Sequence, residues 1–150
     1  MDKETILTTI DQVFGAIPRP ETMVRNPNHC DECADHEAVM QRVTPEALAL
    51  NEVGSPAWDP VCFLSDEAFC YFMPGFARLA LEDDGAYLWQ FFFHLDQGFR
   101  VDAFNAEQRR AVAALVDYIG DNMIEALIDN MAEAEFDRVQ ASLAGDNQRR

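Results

Sequence analysis

Lysine is nearly missing from this 150-residue sequence, and the shortage of positive charge excludes several classes of function. One lysine and ten arginines stand against 27 acidic residues, so the formal net charge is −16. Such an excess of negative charge repels nucleic acid phosphates and anionic membrane surfaces. We therefore expect no nucleic acid partner and no membrane partner.

Long apolar runs are missing as well. No stretch approaches the roughly 20 apolar residues that a helix needs to cross a bilayer, and residues 1–4 lack the basic start of a secretory signal. We predict a cytoplasmic location. In that compartment the four cysteines are expected to be reduced thiols or metal ligands, not disulfide partners.

The common catalytic motifs are also absent from the sequence. It contains no His-Glu-x-x-His, no Gly-x-x-x-x-Gly-Lys loop, no Gly-x-Ser-x-Gly and no Gly-x-Gly-x-x-Gly. Three serines and one lysine leave few candidates for a nucleophile. A non-enzymatic protein is therefore expected ahead of an enzyme.

Apolar residues recur at helical spacing along most of the chain, which predicts a single compact all-α domain over residues 1–150. A chain of this length buries about 70% of its unfolded surface without help from a metal. We expect a core formed by residues 5–119, with long loops near 18–30 and 52–60.

The most strongly patterned stretch, residues 65–82, is predicted to be the central helix, with Ser65 as its N-cap. Pro74 cannot donate a helical hydrogen bond, so we expect a kink there or two helices that meet near Met73. The side chains predicted to share one core are Phe69, Phe72, Phe76, Leu79 and Trp58.

Residues 122–144 are predicted to form a separate C-terminal helix, because a capping signature begins at Asn122 and the chain has a glycine at position 120. Its apolar face must be buried against the same chain or against a second copy. We predict a homodimer through this helix, with packing inside the chain as the alternative.

The chemically densest stretch is His29-Cys30-Asp31-Glu32-Cys33-Ala34-Asp35-His36, with four metal-ligand side chains within eight residues. Cys-x-x-Cys places two thiolates on one side of a tight turn, as zinc sites require. A third ligand would come from the following helix, and the fourth from His29 or the distant His94. The predicted zinc ligands are Cys30, Cys33, His36 and His29.

Two other interpretations of this stretch stay open. The first is thiol redox chemistry, although no strand precedes the motif and the charges of Asp31 and Glu32 are expected to raise both thiol pKa values. The second is polar packing without chemistry. The remaining candidates, Cys62, Cys70 and His94, are expected to be ordinary core residues.

Four elements occur in order along the chain: Cys30-Asp31-Glu32-Cys33, Trp58, the Phe63–Phe76 run and the Gln108–Val112 helix segment. Together they resemble an uncharacterised bacterial family of small acidic proteins, over roughly residues 5 to 118. The resemblance implies no known activity.

We therefore expect a non-enzymatic protein-interaction module, with a protein partner and a zinc site that pins residues 18–36. One alternative is a metal-dependent or thiol enzyme centred on Cys30, Cys33 and His36. Another is an acidic inhibitor or immunity-type protein that masks a basic partner.

Overall fold

The computed structural model describes residues 1–97 and 100–145, and the described chain is all-α as predicted. Residues 98–99, inside the predicted core, and 146–150, at the end of the predicted domain, lie outside the described residues. Two 3₁₀ helices cover Pro60–Phe63 and Arg100–Ala103. The α-helices are α1 (Lys3–Phe14), α2 (Asp31–Gln41), α3 (Leu50–Val53), α4 (Asp66–Ala80), α5 (Leu88–Asp96), α6 (Ala106–Asn122), α7 (Ile124–Asp129) and α8 (Glu133–Gly145).

Helix α4 lies at the centre and packs against α1. Ser65 caps it as predicted, since its hydroxyl accepts a hydrogen bond of 3.1 Å from the Ala68 N–H. The helix continues through Pro74, so the option of two helices meeting near Met73 is wrong. A Cβ at position 75 would lie 2.7 Å from the Pro45 carbonyl oxygen, so glycine there lets the chain near Pro45 approach closely.

The predicted burial of the α4 side chains is confirmed, whereas the core extends beyond residue 119 and Trp58 is not part of it. Each of the four side chains predicted on α4 is at most 2% exposed: Phe69, Phe72, Phe76 and Leu79. Trp58 is 45% exposed and lies over the ring of His36 instead. No helix among the described residues has both the length and the apolar character needed to cross a membrane.

The C-terminal segment contains two helices where the sequence predicted one. Helix α7 ends in a Schellman motif, in which the Met131 and Ala132 N–H groups bond to the Ile128 and Leu127 carbonyls. Met131 takes a φ of 56°, a conformation that glycine usually supplies. No glycine marks this break, which explains why the sequence pattern did not predict it.

The C-terminal apolar stripe packs inside the chain. Helix α8 lies against α5 and α6, and its buried residues are Phe136, Val139 and Leu143. The exposed large apolar residues nearby are Ile124, Ile128 and Met131. Part of the surface that suggested a dimer is thus covered by the chain itself, and self-association stays a prediction.

Replacing Phe72 by alanine should lower the free energy of unfolding by about 3–5 kcal/mol, because the side chain is fully buried and leaves a cavity. Urea denaturation measures the loss. Phe93→Ala is the matched control and should cost less, since Phe93 is partly exposed. A loss below about 1 kcal/mol for Phe72→Ala would contradict its place in the core.

Candidate metal centre

Helix α2 begins inside the cysteine motif, directly after Cys30. Cys30 is its N-cap, and the Cys30 sulfur accepts a hydrogen bond of 3.4 Å from the Cys33 N–H. Because a helix start turns the chain tightly, the two sulfur atoms lie only 3.3 Å apart. The Cys-x-x-Cys spacing therefore brings both thiols together, as predicted for a metal site.

His29 completes a group of three potential ligands. Its Nδ1 lies 3.9 Å from the Cys33 sulfur. One ligand atom from each of His29, Cys30 and Cys33 lies within 4.8 Å of the other two, so the group could hold a metal ion. His29 and Cys30 are exposed, whereas Cys33 is buried at the base of the site.

His36 does not join this group, although the sequence predicted it as a ligand. Its ring is fully buried and lies 4.6 Å from the rings of both Trp58 and Phe63. Its Nε2 lies 3.3 Å from a carboxylate oxygen of Glu32. Cys33, His36 and Met40 share the buried face of α2, so His36 points into the protein.

The loop before α2 is held by the protein itself. Both carboxylate oxygens of Glu37 accept hydrogen bonds from the Met23 N–H at 3.0 Å, and one accepts a bond from the Val24 N–H at 2.9 Å. The loop backbone also bonds to Phe63 and Ser65 at 2.9 Å. These contacts hold the loop at residues 23–25, within the 18–36 segment that zinc was predicted to pin.

The two thiols differ in acidity. Hydrogen bonds from the Cys33 N–H, the Cys33 thiol and His29 lower the pKa of Cys30. The hydrogen bond to Cys30 raises the pKa of Cys33, and burial adds to the effect. The expectation that Asp31 and Glu32 raise both pKa values is wrong for Cys30, because the helix-start hydrogen bonds dominate there.

A second group of potential ligands consists of Asp59, Cys62 and His94, which also bring one ligand atom each within 4.8 Å of one another. His94 therefore lies with Asp59 and Cys62. It does not join Cys30 and Cys33, for which it was one of two predicted candidates for the fourth ligand. Asp59 was not predicted as a ligand, and the prediction that Cys62 is a core residue is wrong, because Cys62 is exposed. The signal for Asp59 was its Asp-x-x-Cys spacing to Cys62, which matches the Cys-x-x-Cys spacing of the first group.

Comparison of the chain with protein-family models, with curated proteins and with solved structures gave no match. The resemblance to a family of small acidic proteins stays a prediction.

In metal-free protein we expect iodoacetamide to modify Cys30 first and Cys70 last, because the thiolate is the reactive form. Burial and the charge of Asp66 raise the pKa of Cys70 to about 11, whereas the pKa of exposed Cys30 is lowered. As the pH rises, Cys30 should therefore gain reactivity well before Cys70. Peptide mass spectrometry measures both rates. Equal rates at neutral pH would contradict this assignment.

Proposed function

We propose that the protein is a non-enzymatic protein-interaction module that binds zinc at its surface through His29, Cys30 and Cys33. The observation that carries the proposal is the assembly of these three ligand atoms within 4.8 Å of one another. Ligands that are already close need little rearrangement to surround an ion. The entropic cost of assembling the site is therefore largely met by folding.

Zinc is the metal that best fits the chemistry of the group. Two thiolates and one imidazole select zinc or Cu(I) over magnesium and calcium, which prefer oxygen ligands. Three acidic residues, Asp31, Glu32 and Asp35, are exposed beside the cysteines on α2. Their negative charge raises the local concentration of divalent cations.

A set of three protein ligands leaves one tetrahedral position free. Structural zinc sites usually have four protein ligands, whereas open sites have three and accept a further ligand from outside. With His36 turned inward, the fourth ligand would be water or a side chain from a partner. The net charge of −16 favours a basic partner. The alternative function, an acidic inhibitor or immunity-type protein, would also bind a basic partner.

Zinc content tests the proposal directly. The double variant Cys30→Ser/Cys33→Ser should carry one equivalent less zinc than the wild type, because it loses two of three ligands. Serine keeps the N-cap role at position 30, so helix α2 should still form. Inductively coupled plasma mass spectrometry of freshly purified protein gives the count.

Cys70→Ser is the matched control, since Cys70 is a buried thiol outside both ligand groups, and its zinc content should equal that of the wild type. A chelator should remove the ion without changing the far-ultraviolet circular dichroism, because Glu37 holds the preceding loop. Equal zinc in the double variant and the wild type would refute zinc binding at this site.

A second candidate is dithiol–disulfide exchange, which the asymmetry of the two thiols supports. Cys30 is exposed, caps a helix start and has a lowered pKa, whereas Cys33 is buried behind it with a raised pKa. An attacking thiol at a helix N-terminus with a second, protected thiol is the arrangement of Cys-x-x-Cys oxidoreductases. This candidate corresponds to the thiol-enzyme alternative.

The exchange would proceed in two balanced steps with a small-molecule disulfide such as oxidised glutathione. The Cys30 thiolate attacks one sulfur, the glutathione S–S bond breaks, and one glutathione thiolate leaves. Cys33 then loses its proton and attacks the mixed disulfide, which releases the second glutathione. Two electrons pass from the protein to the oxidant.

Oxidised glutathione should convert metal-free wild-type protein to an intramolecular disulfide between Cys30 and Cys33, whereas Cys33→Ser should stop at the mixed disulfide. Intact-mass spectrometry distinguishes the two, because only the mixed disulfide adds the mass of glutathione. A wild-type protein that accumulates the mixed disulfide, or stays reduced in excess oxidant, would exclude the exchange.

A further inference from the structure

We propose that Asp59, Cys62 and His94 form a second metal site, distinct from the cysteine motif, that takes a zinc-like divalent cation. Carboxylate, thiolate and imidazole are the three ligand types that zinc uses in proteins. One ligand atom from each residue already lies within 4.8 Å of the other two. Asp59 and His94 are buried, and Cys62 is exposed, so an ion would enter from the side of Cys62.

The 3₁₀ helix Pro60–Phe63 positions two of the ligands. Asp59 is its N-cap, and the Asp59 Oδ1 accepts a hydrogen bond of 2.9 Å from the Val61 N–H. Pro60 at the first helical position fixes the backbone that follows the cap. The side chains of Asp59 and Cys62 therefore extend from the same helical turn, as those of Cys30 and Cys33 do at the start of α2.

Helix α5 supplies the third ligand and a residue that orients the carboxylate. The His94 Nε2 lies 2.7 Å from the Asp59 Oδ2, and the same oxygen accepts a bond of 2.9 Å from the Gln90 side-chain amide. Gln90 also donates to the Val53 carbonyl at 2.7 Å, which fixes the amide. Such outer hydrogen bonds hold ligands in the orientation that a metal needs.

The local charge is mixed. Asp59 and a Cys62 thiolate contribute two negative charges, and the positive charges of Arg100 and Arg25 also act on the Cys62 sulfur. Arg100 is engaged elsewhere, since it donates to the Val61 carbonyl at 2.9 Å and lies 3.8 Å from the Asp66 carboxylate. A bound divalent ion would neutralise the two negative charges of its own ligands.

Binding would displace protons. The Cys62 thiol breaks its S–H bond when its sulfur coordinates the ion, and that proton goes to solvent. The proton shared by Asp59 and His94 must also leave if the His94 Nε2 is the ligand atom. Metal affinity at this site should therefore rise with pH.

A thiol nucleophile assisted by histidine and aspartate is the competing use of the same three residues. It requires an activated thiolate. Burial and the charge of Asp59 instead raise the pKa of Cys62, so the metal-free thiol keeps its proton. A metal ion overcomes this effect by binding the sulfur directly.

Cobalt(II) is the probe, because a thiolate ligand gives a sulfur-to-cobalt charge-transfer absorption band. The Cys30→Ser/Cys33→Ser variant, which lacks the first site, should develop this band with one equivalent of cobalt. Cys62→Ser in the same background should abolish it, and Cys70→Ser should leave it unchanged. Gln90→Leu should weaken the cobalt affinity about 10- to 100-fold by freeing the carboxylate.

A band that is absent from the double variant, or that persists after Cys62→Ser, would overturn the proposal. A measurement without any change at position 62 guards against loss of fold. In the double variant, zinc should slow the alkylation of Cys62 and leave that of Cys70 unaltered. Alkylation of Cys62 at the same rate with and without zinc would also overturn it. Neither result bears on zinc at the first site, which the double variant lacks.

Discussion

Hydrogen bonds from the Met23 and Val24 N–H groups to the Glu37 carboxylate position the candidate metal centre. They tie helix α2 to a loop that otherwise has little regular structure. The loop then pairs with the segment before α4 through a bridge between Val24 and Leu64. The Glu37 carboxylate on α2 therefore fixes the position of the cysteine motif relative to the 3₁₀ helix Pro60–Phe63.

That arrangement brings together the two helices that carry cysteines of the ligand groups, with the rings of His36 and Phe63 packed between them. His36 extends from α2, and Phe63 from the 3₁₀ helix that carries Cys62. The two groups share a design in which a helix cap and a residue three positions later supply neighbouring ligand atoms. They differ in exposure, since the first group is open to solvent and the second is mostly buried.

Much of the fold could be predicted because helical periodicity and caps are local signals. Ser65 caps α4 as predicted, and a capping box of Asn105 and Gln108, another local pattern of the sequence, starts α6. Asn122 carried a similar signature, but its side chain bonds back to the Tyr118 carbonyl and does not cap α7. The break at Met131 was not predictable, since no glycine marks its left-handed backbone, and the burial of the flanking Leu127 and Ala132 is a tertiary feature.

The candidate site was predicted in part for a related reason. Spacing alone brought Cys30 and Cys33 together, because three residues at a helix start fix that geometry. The spacing did not predict which face of α2 would be buried. His36 lies on the buried face and therefore packs in the core. The group around Asp59 depends on contacts across 35 residues of sequence, between Asp59 and His94, and no local pattern encodes them.

Zinc held by His29, Cys30 and Cys33 at the surface can be observed by X-ray absorption spectroscopy of the Cys62→Ser variant loaded with one equivalent, because this variant keeps the first ligand group and loses the thiol of the second. We expect two sulfur ligands at about 2.3 Å together with nitrogen or oxygen ligands at about 2.0–2.1 Å. A spectrum with only nitrogen and oxygen ligands would refute zinc binding by the two cysteines.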